Sequence, residues 1–158
     1  MTDGHENLTV SFYLNGEPVT LEVPAADSLL DILRGAGGLT SVRAGCRIGR
    51  CGSCTVLLDG RSAPACLVPA WRLSGCRVES VEGLAEDPDF RRVASALTGE
   101  SALQCGYCTP GIAVSLVSCL RNEAEADRQR LQEALAGNLC RCTGYGGLKR
   151  ALARLSRT

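Results

Sequence analysis

The chain has 158 residues, with 17 Lys and Arg against 17 Asp and Glu and a single His. This balance provides no basic surface field for nucleic acid, and the longest mostly apolar run, residues 111–120, is too short to span a bilayer. Ten cysteines without a secretory signal in the first ten residues predict a cytoplasmic, reducing location, where metal ligation is favoured over disulfides.

The first half of the chain has the pattern of short strands and one helix. Residues 28–34 place four apolar side chains on one helical face, and we expect Asp27 to cap this helix and Gly35 to end it. Residues 15–17 are typical of a hairpin turn. Five segments have the composition of strands: residues 9–14, 18–23, 55–58, 63–68 and 77–81.

Four cysteines in this half have the spacing C-x4-C-x2-C, followed by a fourth after eleven intervening residues. They are Cys46, Cys51, Cys54 and Cys66. This is the ligand spacing of a plant-type [2Fe-2S] cluster. Gly45, Gly49 and Gly52 lie between these ligands, where we expect positive φ angles and N–H groups close to sulfur. Strands and a helix around such a loop predict a ferredoxin-like β-grasp fold.

The pattern becomes helical after residues 83–88, which have the composition of a linker. Four helices are predicted: residues 89–97, 110–121, 127–136 and 148–155. Thr109 and Pro110 are typical of a helix start, and Gly137 is typical of a helix end. Helix 110–121 is apolar on nearly every side, which predicts a central position in a small bundle.

A second cysteine set has the spacing C-x2-C, thirty-one residues, C-x-C. Its members are Cys105, Cys108, Cys140 and Cys142. Each pair precedes a predicted helix, so two loops can face each other across one metal site. Because C-x2-C pairs also bind structural zinc, the spacing alone leaves zinc open. Rieske ligation is excluded because it needs two histidines and only His5 is present.

Three segments carry a family resemblance: residues 45–56 followed by Cys66, residues 104–111 (QCGYCTPG) and residues 138–145 (NLCRCTGY). From about residue 8 to residue 155, the chain resembles the small iron–sulfur subunit of the molybdenum hydroxylases, the xanthine dehydrogenase and aldehyde oxidoreductase family. The resemblance implies an α+β chain with a ferredoxin-like [2Fe-2S] domain at residues 1–82 and a four-helix-bundle [2Fe-2S] domain at residues 83–158.

The resemblance also implies a division of labour between subunits. A large subunit binds the molybdopterin cofactor and oxidises the substrate, and an FAD-binding medium subunit receives the electrons, in a dimer of heterotrimers. The second cysteine set then ligates the cluster near molybdenum, and the first set ligates the cluster near the flavin. Gln104 and Cys142 match the residues that contact the pterin of the cofactor. No catalytic residue is expected on this chain, and the substrate depends on the large subunit.

The resemblance does not assign a role to five further residues. Arg47 and Arg50 stand where relatives commonly have acidic or neutral residues; they either raise the potential of the first cluster or form a solvated pair or docking contact. We expect Cys119 to be a small core residue and Cys76 to be a surface thiol at a strand end. Trp71 is either a semi-buried aromatic or an interface anchor.

Two rival functions use the same cysteines. A free-standing two-cluster electron carrier would need no partner subunit. A zinc-stabilised interaction module would use the cysteines only to hold the fold. The cofactor partners of the native protein test the first rival, and its metal and sulfide content tests the second.

Overall fold

The structure is a computed structural model that describes residues 7–123 and 125–156; His5 lies outside these residues. The strands within this range are β1 Asn7–Leu14, β2 Glu17–Pro24, β3 Thr55–Leu58, β4 Arg61–Pro64 and β5 Arg77–Glu79. The α-helices are α1 Leu29–Arg34, α2 Pro88–Gly99, α3 Thr109–Asn122, α4 Arg128–Ala134 and α5 Gly146–Leu155. Short 3-10 helices span Ala65–Leu67, Ala70–Arg72 and Val81–Leu84.

The five strands form one mixed sheet in the order β2-β1-β5-β3-β4. Strand β1 pairs antiparallel with β2 and parallel with β5, and β3 pairs antiparallel with both β4 and β5. The β1–β2 turn at Asn15 and Gly16 has φ angles of 52° and 89°, as expected for a tight hairpin. The buried face of α1 shares a core with the sheet, which confirms the predicted α+β fold with a ferredoxin-like first half.

The predicted cap of α1 is wrong by one residue. Ser28, not Asp27, occupies the N-cap, and its Oγ accepts a hydrogen bond from the backbone N of Asp31 at 3.3 Å. The Asp31 carboxylate in turn accepts from the Ser28 hydroxyl at 2.6 Å. A serine three residues before an acidic side chain is a reciprocal capping arrangement, and it sets the start of the helix here.

Cys66 does not lie on a strand, contrary to the prediction for residues 63–68. Strand β4 ends at Pro64, and Cys66 lies in the 3-10 helix Ala65–Leu67. The reason is the missing N–H of proline, which cannot donate to a sheet ladder. The turn presents the Cys66 thiol to the loop that carries the other three cysteines.

Helix α3 is the centre of the helical half, as its apolar sequence predicts. Its residues from Gly111 to Cys119 are all buried, and it packs against α2, α4 and strand β3. Thr109 is the first helical residue instead of the cap, and Cys108 holds the N-cap position without a side-chain hydrogen bond. None of the helices in the described residues has the length and hydropathy needed to cross a membrane.

The two halves share an interface. Leu57 of β3 is fully buried within the helical core, and Ser62 N donates to Ser118 Oγ of α3 at 2.9 Å. The segment predicted as a linker, residues 83–88, contains the end of the 3-10 helix Val81–Leu84 and the start of α2. The division into domains 1–82 and 83–158 stays a prediction.

Candidate metal centres

The loop between α1 and β3 directs backbone N–H groups to thiols of the first cysteine set. The Sγ of Cys46 accepts from the backbone N of Ile48 at 3.5 Å and of Arg50 at 3.2 Å. The Sγ of Cys66 accepts from Gly49 N at 3.2 Å. Such N–H groups stabilise sulfur that carries negative charge, as the thiolate ligands of a metal cluster do.

The glycines of this loop act in two different ways. Gly49 and Gly52 have positive φ angles, 73° and 68°, as predicted. Gly45 is not among the positive-φ residues, so that part of the prediction is wrong. Its missing side chain makes room instead, because a Cβ at Gly45 would lie 2.8 Å from Cys51 Sγ. The loop therefore needs glycine there for close approach to a thiol.

The thiols of the first set differ in acidity. Hydrogen bonds from the backbone N–H groups of Ile48 and Arg50 lower the pKa of Cys46 to about 7. Burial raises the pKa of Cys54 to about 11. Without a metal, Cys54 is therefore a neutral thiol at neutral pH, and ligation has to release its proton.

The second cysteine set is assembled from the loops before α3 and α5. The Sγ atoms of Cys105 and Cys142 lie 3.5 Å apart, and both residues are exposed. Two thiolates on one tetrahedral metal, each bound at about 2.3 Å as in zinc sites, lie roughly 3.7 Å apart. Cys105 and Cys142 are 37 residues apart in the sequence, but the fold brings their Sγ atoms to nearly the separation of two thiolates on one metal.

The acidities in this set also follow the local contacts. The backbone N–H of Tyr107 lowers the pKa of Cys105. Burial raises the pKa of Cys108 to about 12, with a further contribution from its contact with Cys140. Burial also acts to raise the pKa of Cys140, but hydrogen bonds from the side chain and backbone of Thr143 outweigh it and lower the pKa. The Thr143 hydroxyl donates to Cys140 Sγ at 3.1 Å.

The donor groups fit [2Fe-2S] clusters. Each set supplies four cysteine thiols and no histidine, which is the ligand set of a plant-type cluster. Among the described residues, no three His, Cys, Asp or Glu side chains converge as ligands of a single ion. A two-iron cluster divides four thiolates over two metals, so only pairs of thiols need to approach each other closely.

Hydrogen bonds connect the two cysteine loops directly. Leu139 N donates to the carbonyl O of Cys51 at 3.0 Å, and Leu139 is the residue before Cys140. On another side, the Tyr107 hydroxyl donates to Ala44 O at 3.1 Å, joining the loop of Cys105 and Cys108 to that of Cys46. The two candidate metal sites are therefore adjacent within one folded unit.

Both cysteine sets lie in segments that match known cluster-binding domains. Residues 12–74 match the profile described as 2Fe-2S iron–sulfur cluster binding domain, and residues 80–153 match the profile described as [2Fe-2S] binding domain. A probable xanthine dehydrogenase subunit of Bacillus subtilis (strain 168) is 38% identical over 144 residues, covering 91% of this chain and 83% of that relative. The chain belongs to the iron–sulfur subunits of the molybdenum hydroxylase family. Its cofactors are two [2Fe-2S] clusters.

Two further relatives agree with this assignment. The "Nicotinate dehydrogenase small FeS subunit" of Eubacterium barkeri is 37% identical over 138 residues, covering 87% of this iron–sulfur subunit and 88% of the relative. Among solved structures, quinoline 2-oxidoreductase from Pseudomonas putida 86 superimposes with a TM-score of 0.86 at 36% identity, over 96% of this chain and 94% of that chain. Because the match covers nearly the full length of both chains, it supports the fold of the whole chain and not only of one half.

The remaining residues singled out from the sequence have varied positions in the iron–sulfur subunit. Arg47 forms an exposed ion pair with Asp31 at 2.6 Å, whereas Arg50 is simply exposed. Cys119 is buried in the helical core, as predicted. Cys76 precedes β5 but is half-buried, and its Sγ donates to Arg72 O at 3.2 Å. Trp71 is 67% exposed, which contradicts the semi-buried interpretation.

Gln104 is exposed beside the exposed Cys105. Sequence reasoning missed two other residues of this region. Asn138 is a buried polar side chain that reaches the first cysteine loop, and Tyr145 accepts from Cys140 N at 2.9 Å through its hydroxyl. Both residues lie within the NLCRCTGY segment. The amide of Asn138 and the phenol of Tyr145, so close to two predicted ligands, were the only sequence features that could have indicated these contacts.

Proposed function

We propose that this chain is the electron-transfer subunit of a molybdenum-containing hydroxylase or dehydrogenase. It relays single electrons from the molybdopterin centre of a large subunit, through its two [2Fe-2S] clusters, to FAD or another acceptor. The observation that carries the proposal is the hydrogen bond from Leu139 N to Cys51 O, because it joins the two cysteine loops by a short polar contact. The names of the relatives, a xanthine and a nicotinate dehydrogenase subunit, support the class of enzyme.

The proposal assigns each cysteine set to one cluster. The cluster near the flavin is held by Cys46, Cys51, Cys54 and Cys66. The cluster near molybdenum is held by Cys105, Cys108, Cys140 and Cys142. When bound, each [2Fe-2S] cluster accepts and releases one electron at a time. The protein side chains hold the thiolates, supply N–H groups to sulfur and fix the distance between the two sites.

The exposure of the second set supports its position at the electron entrance. Cys105, Cys142 and Gln104 are all exposed, and Leu139, the residue before Cys140, is a large exposed apolar residue. Such a surface can lie against a partner subunit, and an exposed amide can pair with the edge of a pterin. We propose that Gln104 and Cys142 contact the molybdopterin cofactor of the large subunit.

The exit surface lies at the first set. Ile48 and Leu67 are both exposed, and a Cβ at Gly49 would collide with the side chain of Leu67, so these residues adjoin. We propose that an FAD-binding medium subunit covers this face in a cytoplasmic dimer of heterotrimers. The chain itself then binds no substrate, and its division at residues 82 and 83 separates the exit domain from the entrance domain.

Native purification separates this function from that of a free-standing carrier. We expect the chain, isolated from its own host without dissociating conditions, to co-purify with a larger subunit that contains molybdopterin and with a flavin. Size-exclusion chromatography with cofactor analysis measures this. Recovery of all the redox-active chain as a monomer free of molybdopterin would refute the proposal in favour of the carrier.

Replacement of Gln104 by alanine tests the entrance. We expect slower reduction of the cluster near molybdenum by the substrate of the native complex, because the amide contact is lost while all eight cysteines remain. Stopped-flow absorbance and the electron paramagnetic resonance (EPR) signal of each cluster measure the rate and the assembly. The matched control is Gln132→Ala, an exposed glutamine on α4. Equal rates of cluster reduction in the wild type and in Gln104→Ala would contradict the proposed contact between Gln104 and the cofactor.

A further inference from the structure

Asn138 is one of few buried polar side chains in the described residues, with 6% of its surface exposed. It lies in the loop between α4 and α5, two residues before Cys140. Its side-chain Nδ2 donates to the carbonyl O of Gly52 at 3.2 Å, across 86 positions of sequence. A buried amide with a single long-range partner indicates a specific contact between the two halves of the chain.

A second hydrogen bond, from the neighbouring backbone, lies beside the Asn138 contact. Leu139 N donates to Cys51 O at 3.0 Å, so two consecutive residues, 138 and 139, hold two consecutive carbonyl groups, those of Cys51 and Gly52. We call this pair of hydrogen bonds the loop clasp. The clasp joins a proposed ligand of the first cluster to the residue before Cys140, a proposed ligand of the second.

The surroundings of the clasp are closely packed. A Cβ at Gly52 would lie 2.6 Å from Gly137 O and would also collide with the Asn138 amide. A Cβ at Gly111, in the first turn of α3, would collide with Gly52 O. The Gly52 carbonyl lies between α3 and Asn138, and it also accepts from Thr55 Oγ1 at 2.8 Å and from Thr55 N at 3.2 Å within its own loop. Asn138 supplies its side-chain hydrogen bond from the helical half, so a change at residue 138 acts on the clasp directly.

We propose that Asn138 is a positioning residue for electron transfer between the clusters: its amide ties the Gly52 carbonyl to the helical half and thereby keeps Leu139 N bonded to Cys51 O. This proposal rests on the proposed function. In the step concerned, one electron leaves the reduced cluster of the second set and reduces the oxidised cluster of the first set. No covalent bond forms or breaks, so the rate depends on the separation and contact of the two loops and on the difference between the two cluster potentials.

The chain contains a comparison amide of the same type, which is exposed whereas Asn138 is buried. Asn122, at the end of α3, also donates its Nδ2 across the two halves, to Gly60 O at 2.9 Å. Gly60 lies in the β3–β4 turn, outside both cysteine sets. Asn122→Asp and Asn138→Asp each replace an amide donor by a carboxylate of the same shape that can only accept. Only Asn138→Asp removes a hydrogen bond of the loop clasp.

The test uses the intact, cluster-loaded chain and two measurements other than catalysis. With both clusters reduced by dithionite, EPR measures the magnetic interaction between them. After flash photoreduction with less than one electron per chain, the two cluster signals measure how fast the electron redistributes. For Asn138→Asp we expect both signals to be present, a weaker magnetic interaction and a several-fold slower redistribution. We expect wild-type values for Asn122→Asp.

Each outcome separates the possibilities. Wild-type interaction and redistribution in Asn138→Asp would overturn the proposal. Equal changes in both variants would also overturn it, because general loosening of the two halves would then be the cause. If Asn138→Asp does not retain both clusters, the same two measurements on Asn138→Ala decide. Absence of two cluster signals from the wild-type chain would refute the proposed function instead.

Discussion

Replacing Cys51 by serine is expected to remove the first cluster and to leave the second in place. We expect the iron content to fall from about four to about two per chain, since each [2Fe-2S] cluster holds two irons. The physical reason is that the irons of these clusters prefer soft thiolate sulfur, and a serine hydroxyl releases its proton far less readily than a thiol. The backbone carbonyl of residue 51 is retained, so the hydrogen bond from Leu139 N can persist and the second set can still assemble.

In the proposed complex, this variant should also block electron exit while substrate binding on the proposed large subunit continues. Iron analysis and EPR of the reduced complex measure the loss of one signal of two. Cys76→Ser is the matched control, because Cys76 lies outside both sets and its thiol donates to Arg72 O instead of approaching a cysteine loop. Two intact signals in Cys51→Ser, or the loss of a signal in Cys76→Ser, would contradict the ligand assignment.

Replacing Gly111 by alanine should destabilise the chain strongly. The added methyl group collides with Gly52 O, a backbone atom in the first cysteine loop, so either α3 or that loop has to move. Overpacking of this kind costs about 1–3 kcal/mol. This cost exceeds the gain in helix stability of up to about 1 kcal/mol that alanine brings over glycine in a helix interior. We expect a lower unfolding temperature and weakened interaction between the clusters.

Gly137→Ala is the control for the Gly111 variant. A Cβ at Gly137 has no neighbour within 4 Å, so we expect a change in unfolding temperature close to zero. Thermal unfolding of the cluster-loaded chains, followed by circular dichroism, compares the two. A Gly111→Ala chain as stable as the wild type would show that α3 does not press against the first cysteine loop.

Patterns within short segments predicted most of the fold. The β1–β2 hairpin, α1, β3 and the apolar α3 depend on local turn residues and on the period of apolar side chains, which a sequence displays directly. The errors arose where two local signals competed. Asp27 and Ser28 are both good caps, and the position of Asp31 decided for Ser28. Pro64 ended β4 before Cys66 because it lacks an N–H.

The candidate sites were predictable only in part. Cysteine spacing predicted the two sets, because ligands on one loop must lie within a few residues of each other. The clasp was not predictable, because Asn138 and Gly52 are 86 positions apart and no local pattern connects them. The role of Gly45 was also hidden. Its φ angle is ordinary, and only the folded loop brings Cys51 Sγ to the space that a side chain would fill.

The metal and sulfide content of the native chain tests the central claim most directly. We predict about four iron and four acid-labile sulfide per chain, with two distinct EPR signals on reduction, because each cysteine set binds one [2Fe-2S] cluster. Stoichiometric zinc with no labile sulfide would contradict the account, since both cysteine sets would then only stabilise the fold.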